Sequence, residues 1–324
     1  MTKFIQHILF ATVLLTACTH VPEKKVRVHA CASMPEGRAS ACACVCDGKA
    51  YVFGGRDHAG TYLNDLWQYD PATDSWTDLG TTPLKARVNA AMASCGDKLY
   101  VGLGYSALRA YKDSAYQQDW WEYSPATNQW KSLAQYPSAN TVKPVSYCVD
   151  NRIYVLYGCG HAQQNEVWQY DPSSDTWTQL PHVAQMAPRA FGCTGAAIDG
   201  TAYFGSGFDS HNLRDWYRLS LPDNRWTACA SLPGKGREFS ACAASKEYVY
   251  VLGGRYFGGD MTGGEVFDSF LRYAADKDQW EWCGTMPCGR AENQIAFAID
   301  GKVYFGLGED EKGQTIDKIY RIED

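Results

Sequence analysis

Six times along the chain a short apolar strand closes on glycine. The copies are Tyr51-Val-Phe-Gly-Gly55, Tyr100-Val-Gly-Leu-Gly104, Tyr154-Val-Leu-Tyr-Gly158, Tyr203-Phe-Gly-Ser-Gly207, Tyr250-Val-Leu-Gly-Gly254 and Tyr304-Phe-Gly-Leu-Gly308. Their tyrosines stand 49, 54, 49, 47 and 54 residues apart. This recurrence is the strongest constraint on the fold, because a repeat unit buries its apolar face only by stacking on copies of itself. A chain of 324 residues would otherwise suggest about two domains.

A second landmark follows each of the first five copies: an aromatic strand, a Pro/Asp turn, then tryptophan. The first runs Leu66-Trp-Gln-Tyr-Asp-Pro-Ala-Thr-Asp-Ser-Trp76, and the others end at Trp130, Trp177, Trp226 and Trp280. Strict recurrence marks these tryptophans as packing between sheets. Each copy reads as four antiparallel strands, a to d: a small-residue strand such as Ser40 to Cys46, the Tyr/Gly strand, the Trp/Tyr strand, and one starting at the last tryptophan. Asp47-Gly48, Asp199-Gly200 and Asp300-Gly301 predict two-residue hairpins between a and b. Asp70-Pro71 and Asp171-Pro172 open the turns between c and d.

The sixth copy ends after strand c. Its missing strand stands at the other end of the chain, where Val28-His-Ala-Cys-Ala-Ser-Met-Pro35 matches Trp226-Thr-Ala-Cys-Ala-Ser-Leu-Pro233. Pairing it into the last sheet closes a ring and removes an open edge. Over residues 26–324 the sequence resembles kelch-repeat proteins, whose period is near 50. The fold expected is all-β: a six-bladed kelch-type β-propeller whose last blade is closed by the N-terminal strand.

Residues 1–17 read as a signal peptide, with Lys3 before a short apolar run from Ile8 to Leu15 that is too short to span a bilayer. Leu15-Thr16-Ala17-Cys18 resembles the lipobox of bacterial lipoproteins. That resemblance implies acylation of Cys18, a tether over residues 18–25 and an outer-membrane address, periplasmic or cell-surface, with the lipid anchor as the only membrane contact. The net charge of −6 and the absence of a long basic run exclude nucleic acid as a partner.

Twelve cysteines follow Cys18. Several occupy equivalent slots in different blades, too far apart to bridge, so most read as small buried hydrophobes. An isolated bridge between strands a of neighbouring blades stays open. No Cys-x-x-Cys or His-x-x-x-His spacing points to a metal, and no cofactor is expected.

If strands alternate in direction, the d–a and b–c connections share one face of the disc, the longer-looped and therefore working face. The d–a connections carry Arg38, Arg87, Arg189, Arg237 and Arg290, with Lys143 near the corresponding place in blade three. A guanidinium ring at the channel mouth would hold carboxylate, sulfate or phosphate groups; the plainer role is pairing with backbone carbonyls or with Glu36, Glu238 and Glu292. Two or three are expected to line a pocket. Arg56 and Arg255 enter b–c loops on the same face. The long b–c loops are Tyr105 to Asp119, with Arg109, Tyr111 and Tyr116, and the glycine-rich Arg255 to Asp268.

Two functions compete. One is a non-catalytic envelope module that binds an acidic sugar, an acidic glycan or a protein segment. The other follows from a distant resemblance to kelch-type sialic acid mutarotases (N-acetylneuraminate epimerases), which implies a Glu and an Arg acting on a carboxylated sugar. Glu309 sits where that family places its Glu, but Thr315 stands where the Arg should follow. Glu238 and Glu292 are the reserve acids. A copper-radical site of the galactose-oxidase kind would need two His and a Tyr joined to a Cys, and His58, His161, His182 and His211 are scattered through different copies.

Overall fold

The computed structural model describes residues 21–106, 115–138, 141–159, 163–181, 191–221, 223–258 and 263–323. It contains six four-stranded antiparallel sheets, as the repeats require. Blade one is Cys42–Cys46, Lys49–Phe53, Asp65–Asp70 and Ser75–Thr81, and blade two is Ala91–Cys95, Lys98–Gly102, Trp120–Ser124 and Gln129–Ser132. Blades three and four begin with Val145–Val149 and Thr194–Ile198 and end with Thr176–Gln179 and Arg225–Cys229. Blade five begins with Ala241–Ala244 and ends with Gln279–Thr285.

Blade six holds Ile295–Ile299, Lys302–Gly306 and Ile319–Glu323, and its fourth strand is Arg27–Cys31 from the N-terminus. Val28 lies opposite Ile322 and Cys31 opposite Ile319. Before entering blade six, the chain runs along the outer strand of blade five, where Lys24 N–H donates to Trp282 O and Trp282 N–H to Pro22 O, both at 2.8 Å. Residues 22–24 of the expected tether are therefore sheet-bound.

The hairpins form as their Asp-Gly pairs demand. Asp47 and Gly48 have φ of 49° and 69°, and Asp300 and Gly301 have 51° and 77°. Both central residues of such a turn need positive φ to match the twist of the strands they join.

The apolar core is divided among the six blade junctions, each with its own cluster. The recurring tryptophans stand at these junctions. Trp76, Trp177 and Trp280 each donate an indole N–H to a carbonyl of the neighbouring blade: Ala32, Ala134 and Ala230, at 2.9, 3.0 and 2.8 Å. The carboxylate two residues before each (Asp74, Asp175, Asp278) accepts the N–H of that same neighbouring residue. It also accepts a tyrosine hydroxyl from its own blade. Each of these three junctions is thus an apolar slab pinned at its rim by two bonds across it, with the tyrosine hydroxyl holding the carboxylate in place.

Cys95 of blade two is disulfide-bonded to Cys148 of blade three, with Cα atoms 5.5 Å apart. This is the single bridge between neighbouring strands a that the sequence left open. Cys42, Cys44, Cys46 and Cys242 are free thiols. Burial pushes the Cys42 thiol up to about 12, against the opposing field of Arg87, which makes it a poor nucleophile.

Candidate functional site at the channel mouth

The d–a connections turn inward at six equivalent residues: Ser40, Asn89, Lys143, Gly192, Phe239 and Asn293. All six have positive φ, between 50° and 65°. Bulky side chains rarely accept that region, and a chain of backbone bonds holds them in it. Asn89 N–H donates to Ser40 O, Lys143 N–H to Asn89 O, Ser40 N–H to Asn293 O, Asn293 N–H to Phe239 O and Phe239 N–H to Gly192 O, at 2.7 to 3.1 Å. These five links make an inner ring that is open between Lys143 and Gly192. Below it lies a central cavity of about 430 Å³ lined by strands a of all six blades, including Cys42, Met92, Ser146, Thr194 and Cys242.

One residue before five of the six ring positions, the d–a chain pairs with the b–c connection of its own blade. Ala39 pairs with Arg56, Val88 with Tyr105, Phe191 with Phe208, Glu238 with Arg255 and Glu292 with Glu309. The two kinds of connection share one face, as the strand directions predict. Blades two and four place apolar pairs there. Blades five, six and one place Glu238, Arg255, Glu292, Glu309 and Arg56 side by side.

Arg56 Nη2 is ion-paired with Glu309 Oε2, across 253 positions in sequence. The other Glu309 oxygen accepts Asn293 Nδ2 at 3.0 Å. Arg255 Nε meets Glu238 Oε1 at 3.1 Å and Glu292 Oε2 at 3.5 Å. Among the described residues Arg255 commits only that nitrogen, which leaves both terminal nitrogens available beside the Phe239 and Phe257 rings, 5.0 and 5.9 Å from its Cζ. Lys143 comes from blade three and crosses the mouth to blade six, where Nζ donates to Asn293 Oδ1 at 2.9 Å. On the way it stands 4.3 Å from the Phe239 ring centre.

Crowding shifts the titrations. Burial lowers the Lys143 ammonium to about 7, despite the opposing pull of Glu292, Glu238 and Glu309, and Arg255 adds to the lowering. Burial raises the carboxyls of Glu238 and Glu292, with Arg255 opposing in both; the charge of Glu309 raises Glu292 further. Glu292 and Glu309 lie directly opposite each other on paired strands, a spacing that brings side chains together. Arg56, Arg255 and Lys143 thus stand among Glu238, Glu292 and Glu309, and among the described residues no group of three or more His, Cys, Asp or Glu side chains is placed to hold a metal ion.

The expected ring of d–a arginines does not line the mouth. Arg38 and Arg87 are completely buried. Arg38 grips Asp65 with two bonds of 2.7 and 2.9 Å and also donates to Gly54 O. Arg87 does the same with Asp119, at 2.5 and 2.9 Å, and with Leu103 O. Arg237 bonds Gly253 O and Ser269 Oγ and stacks over Phe267 at 4.2 Å. These three tie the d–a connection to the start of strand c in the same blade, and all three are buried.

Arg290 fails for a different reason, a one-residue slip of register. The second glycine of each Tyr/Gly strand donates to the arginine-slot carbonyl of the next blade: Gly55 to Arg87, Gly207 to Arg237, Gly308 to Arg38. Gly254 donates to Ala291. Ala291 therefore fills the slot, and Arg290 points outward, half exposed, 3.8 Å from Glu311. Of the other expected ligand-binding residues, Arg56 and Arg255 are at the mouth. Arg189, Arg109, Tyr111 and the acylation candidate Cys18 lie outside the described residues.

Asn293 and Phe239 were not singled out from sequence, and Lys143 only as a neighbour of the missing arginine. The signal was available: each stands two residues past the arginine slot (Thr141, Arg237, Ala291), where the six copies read Ser, Asn, Lys, Gly, Phe and Asn.

Comparisons with known proteins agree with this architecture. The family profile described as the KLHDC2/KLHL20/DRC7 Kelch-repeats domain matches residues 23–146, and the Kelch motif matches residues 148–183. Kelch-like protein 25 of Xenopus tropicalis is 27% identical over 231 residues, 70% of this chain and 38% of that protein. N-acetylneuraminate epimerase of Haemophilus influenzae is 32% identical over 161 residues, 39% of this chain and 43% of that protein. The chain thus spans about two fifths of the length of these curated relatives. The solved structure described as "Structure of YjhT" superposes with a TM-score of 0.75 at 15% identity, covering 91% of this chain and 99% of that one. The fold is a kelch-repeat β-propeller, with distant similarity to kelch-type N-acetylneuraminate epimerases.

Proposed function

We propose that this kelch-repeat propeller acts on carboxylated sugars, opening and reclosing the sugar ring as a mutarotase of the N-acetylneuraminate epimerase kind. The observation that carries the reading is the cross-strand pair Glu292 and Glu309, set between Arg255 and Arg56 at the channel mouth. Interconverting two anomers needs a base at the anomeric hydroxyl, an acid at the ring oxygen and a cation for the carboxylate. Glu309, ion-paired with Arg56, is the base. Glu292, whose carboxyl burial keeps protonated to higher pH, is the acid.

Glu309 takes the hydroxyl proton as Glu292 protonates the ring oxygen. The bond between ring oxygen and anomeric carbon breaks and the carbonyl forms. Rotation and the reverse transfers close the ring on the other face. The Arg255 terminal nitrogens hold the substrate carboxylate with a planar fork. Arg56, arriving from blade one, supplies the cation beside Glu309 that Thr315 cannot. The similarity to N-acetylneuraminate epimerases supports the same reading.

The test is NMR exchange between the sialic acid anomers with catalytic amounts of protein. Exchange accelerated by the wild type and lost in Glu309→Gln is expected. Binding without acceleration would refute catalysis and leave recognition of an acidic sugar, glycan or protein segment. We also infer an exported, Cys18-anchored chain, with which the Cys95–Cys148 disulfide is consistent. Cys18→Ala should then release the protein from membranes, and unchanged fractionation would refute the anchor.

A further inference from the structure

We propose that Lys143 is a covalent site for α-keto acids, its amine forming an imine with the carbonyl carbon while Arg255 holds the adjoining carboxylate. The inference rests on the mouth being a site for carboxylated sugars. A sugar whose carboxylate sits on the anomeric carbon is an α-keto acid once its ring is open.

The geometry has the parts that imine chemistry needs. The amine is carried into the mouth by a residue held at positive φ, and among the described residues it makes one hydrogen bond, to the neutral acceptor Asn293 Oδ1. Its other near neighbour is the apolar face of Phe239. The same ring lies 5.0 Å from Arg255 Cζ, so one aromatic side chain positions both the amine and the carboxylate anchor. Glu238, Glu292 and Glu309 face the amine from blades five and six, and Arg255 stands among them. Desolvation of a lysine, or another cation beside it, is a recognised way of activating its amine as a nucleophile. The lowered ammonium leaves a sizeable neutral fraction near pH 7.

The step balances without a cofactor or an oxidant. The Nζ lone pair attacks the carbonyl carbon and a carbinolamine forms. A proton from the Glu292 carboxyl lets its hydroxyl leave as water, and hydrolysis reverses the sequence.

The experiment is reductive trapping of the full chain with pyruvate and borohydride, followed by peptide mass mapping. One reduced pyruvyl group on Lys143 is expected, with yield at least about tenfold lower in Lys143→Arg and with acetone in place of pyruvate. No adduct, an adduct spread over surface lysines, or equal labelling with acetone would overturn the proposal. Should Lys143→Arg fail to fold, the peptide map of the wild-type adduct decides the matter, since the reduced pyruvyl group must then be found on the Lys143 peptide and on no other. Trapping without anomer exchange would refute the mutarotase reading alone, and exchange without trapping would refute the imine alone.

Discussion

Arg38 and Arg56 belong to the same blade and could hardly be used more differently. Arg38 recurs in the repeat, is completely buried, and has its fork closed around Asp65. Arg56 stands in a slot that reads Arg, Tyr, Phe, Arg and Glu in blades one, two, four, five and six, and it reaches into another blade for its carboxylate. Residues that repeat hold the blade together, because every blade has the same mechanical problem. Residues that break the repeat share one small space, because a ligand meets the mouth only once.

The contrast is sharpest in mutants. Glu309→Gln should lower anomer exchange by about 10² to 10⁴-fold while the melting temperature stays close to the wild type; exchange unchanged would remove Glu309 from the chemistry. Arg38→Ala should do the reverse. It leaves the partly buried Asp65 carboxylate without its partner, for a loss of about 2–4 kcal/mol in urea unfolding, and a mutant of normal stability would break the distinction drawn here.

Cys95→Ser should cost about 2–4 kcal/mol through loss of the bridge, with reductant giving the wild type the same lowered midpoint. Arg255→Lys keeps a charge for Glu238 and Glu292 but loses the fork. It should weaken sialic acid binding about tenfold in a thermal-shift titration; unchanged affinity would mean the carboxylate sits elsewhere.

The last comparison is a pH dependence. Lys143 titrates near 7 when folded, against about 10.4 in an unfolded chain. Between those values the unfolded chain binds the extra proton, so the contribution is present above the unfolded value and is lost as pH falls towards 7. The stability of wild type relative to Lys143→Met should therefore rise with pH over that window, and a flat difference would show that the amine titrates normally. The groups facing it are Glu238, Glu292, Glu309 and Arg255.

Almost the whole fold was legible in the sequence because it is written six times. Tyr/Gly strands, Asp-Gly hairpins and the N-terminal strand of blade six each satisfy a local rule, and repetition removes the ambiguity of any one copy. The site was only half legible. Arg56, Arg255, Glu238, Glu292 and Glu309 were all candidates, but repetition also drew attention to Arg38, Arg87 and Arg237, whose partners Asp65, Asp119 and Ser269 lie 27 to 32 positions away. Arg290 misled by a single residue, a shift that only the backbone register reveals. The pairing of Arg56 with Glu309 joins opposite ends of the chain, and nothing local announces it.

The inner ring of left-handed residues has a consequence for how such a mouth changes over time. Its bonds run between main-chain groups, so they impose one conformation on serine, asparagine, lysine, glycine and phenylalanine alike. The scaffold thereby accepts several spellings at six positions around one mouth. A mutation there rewrites what the opening recognises without asking the surrounding sheets to move, much as type is changed in a locked frame.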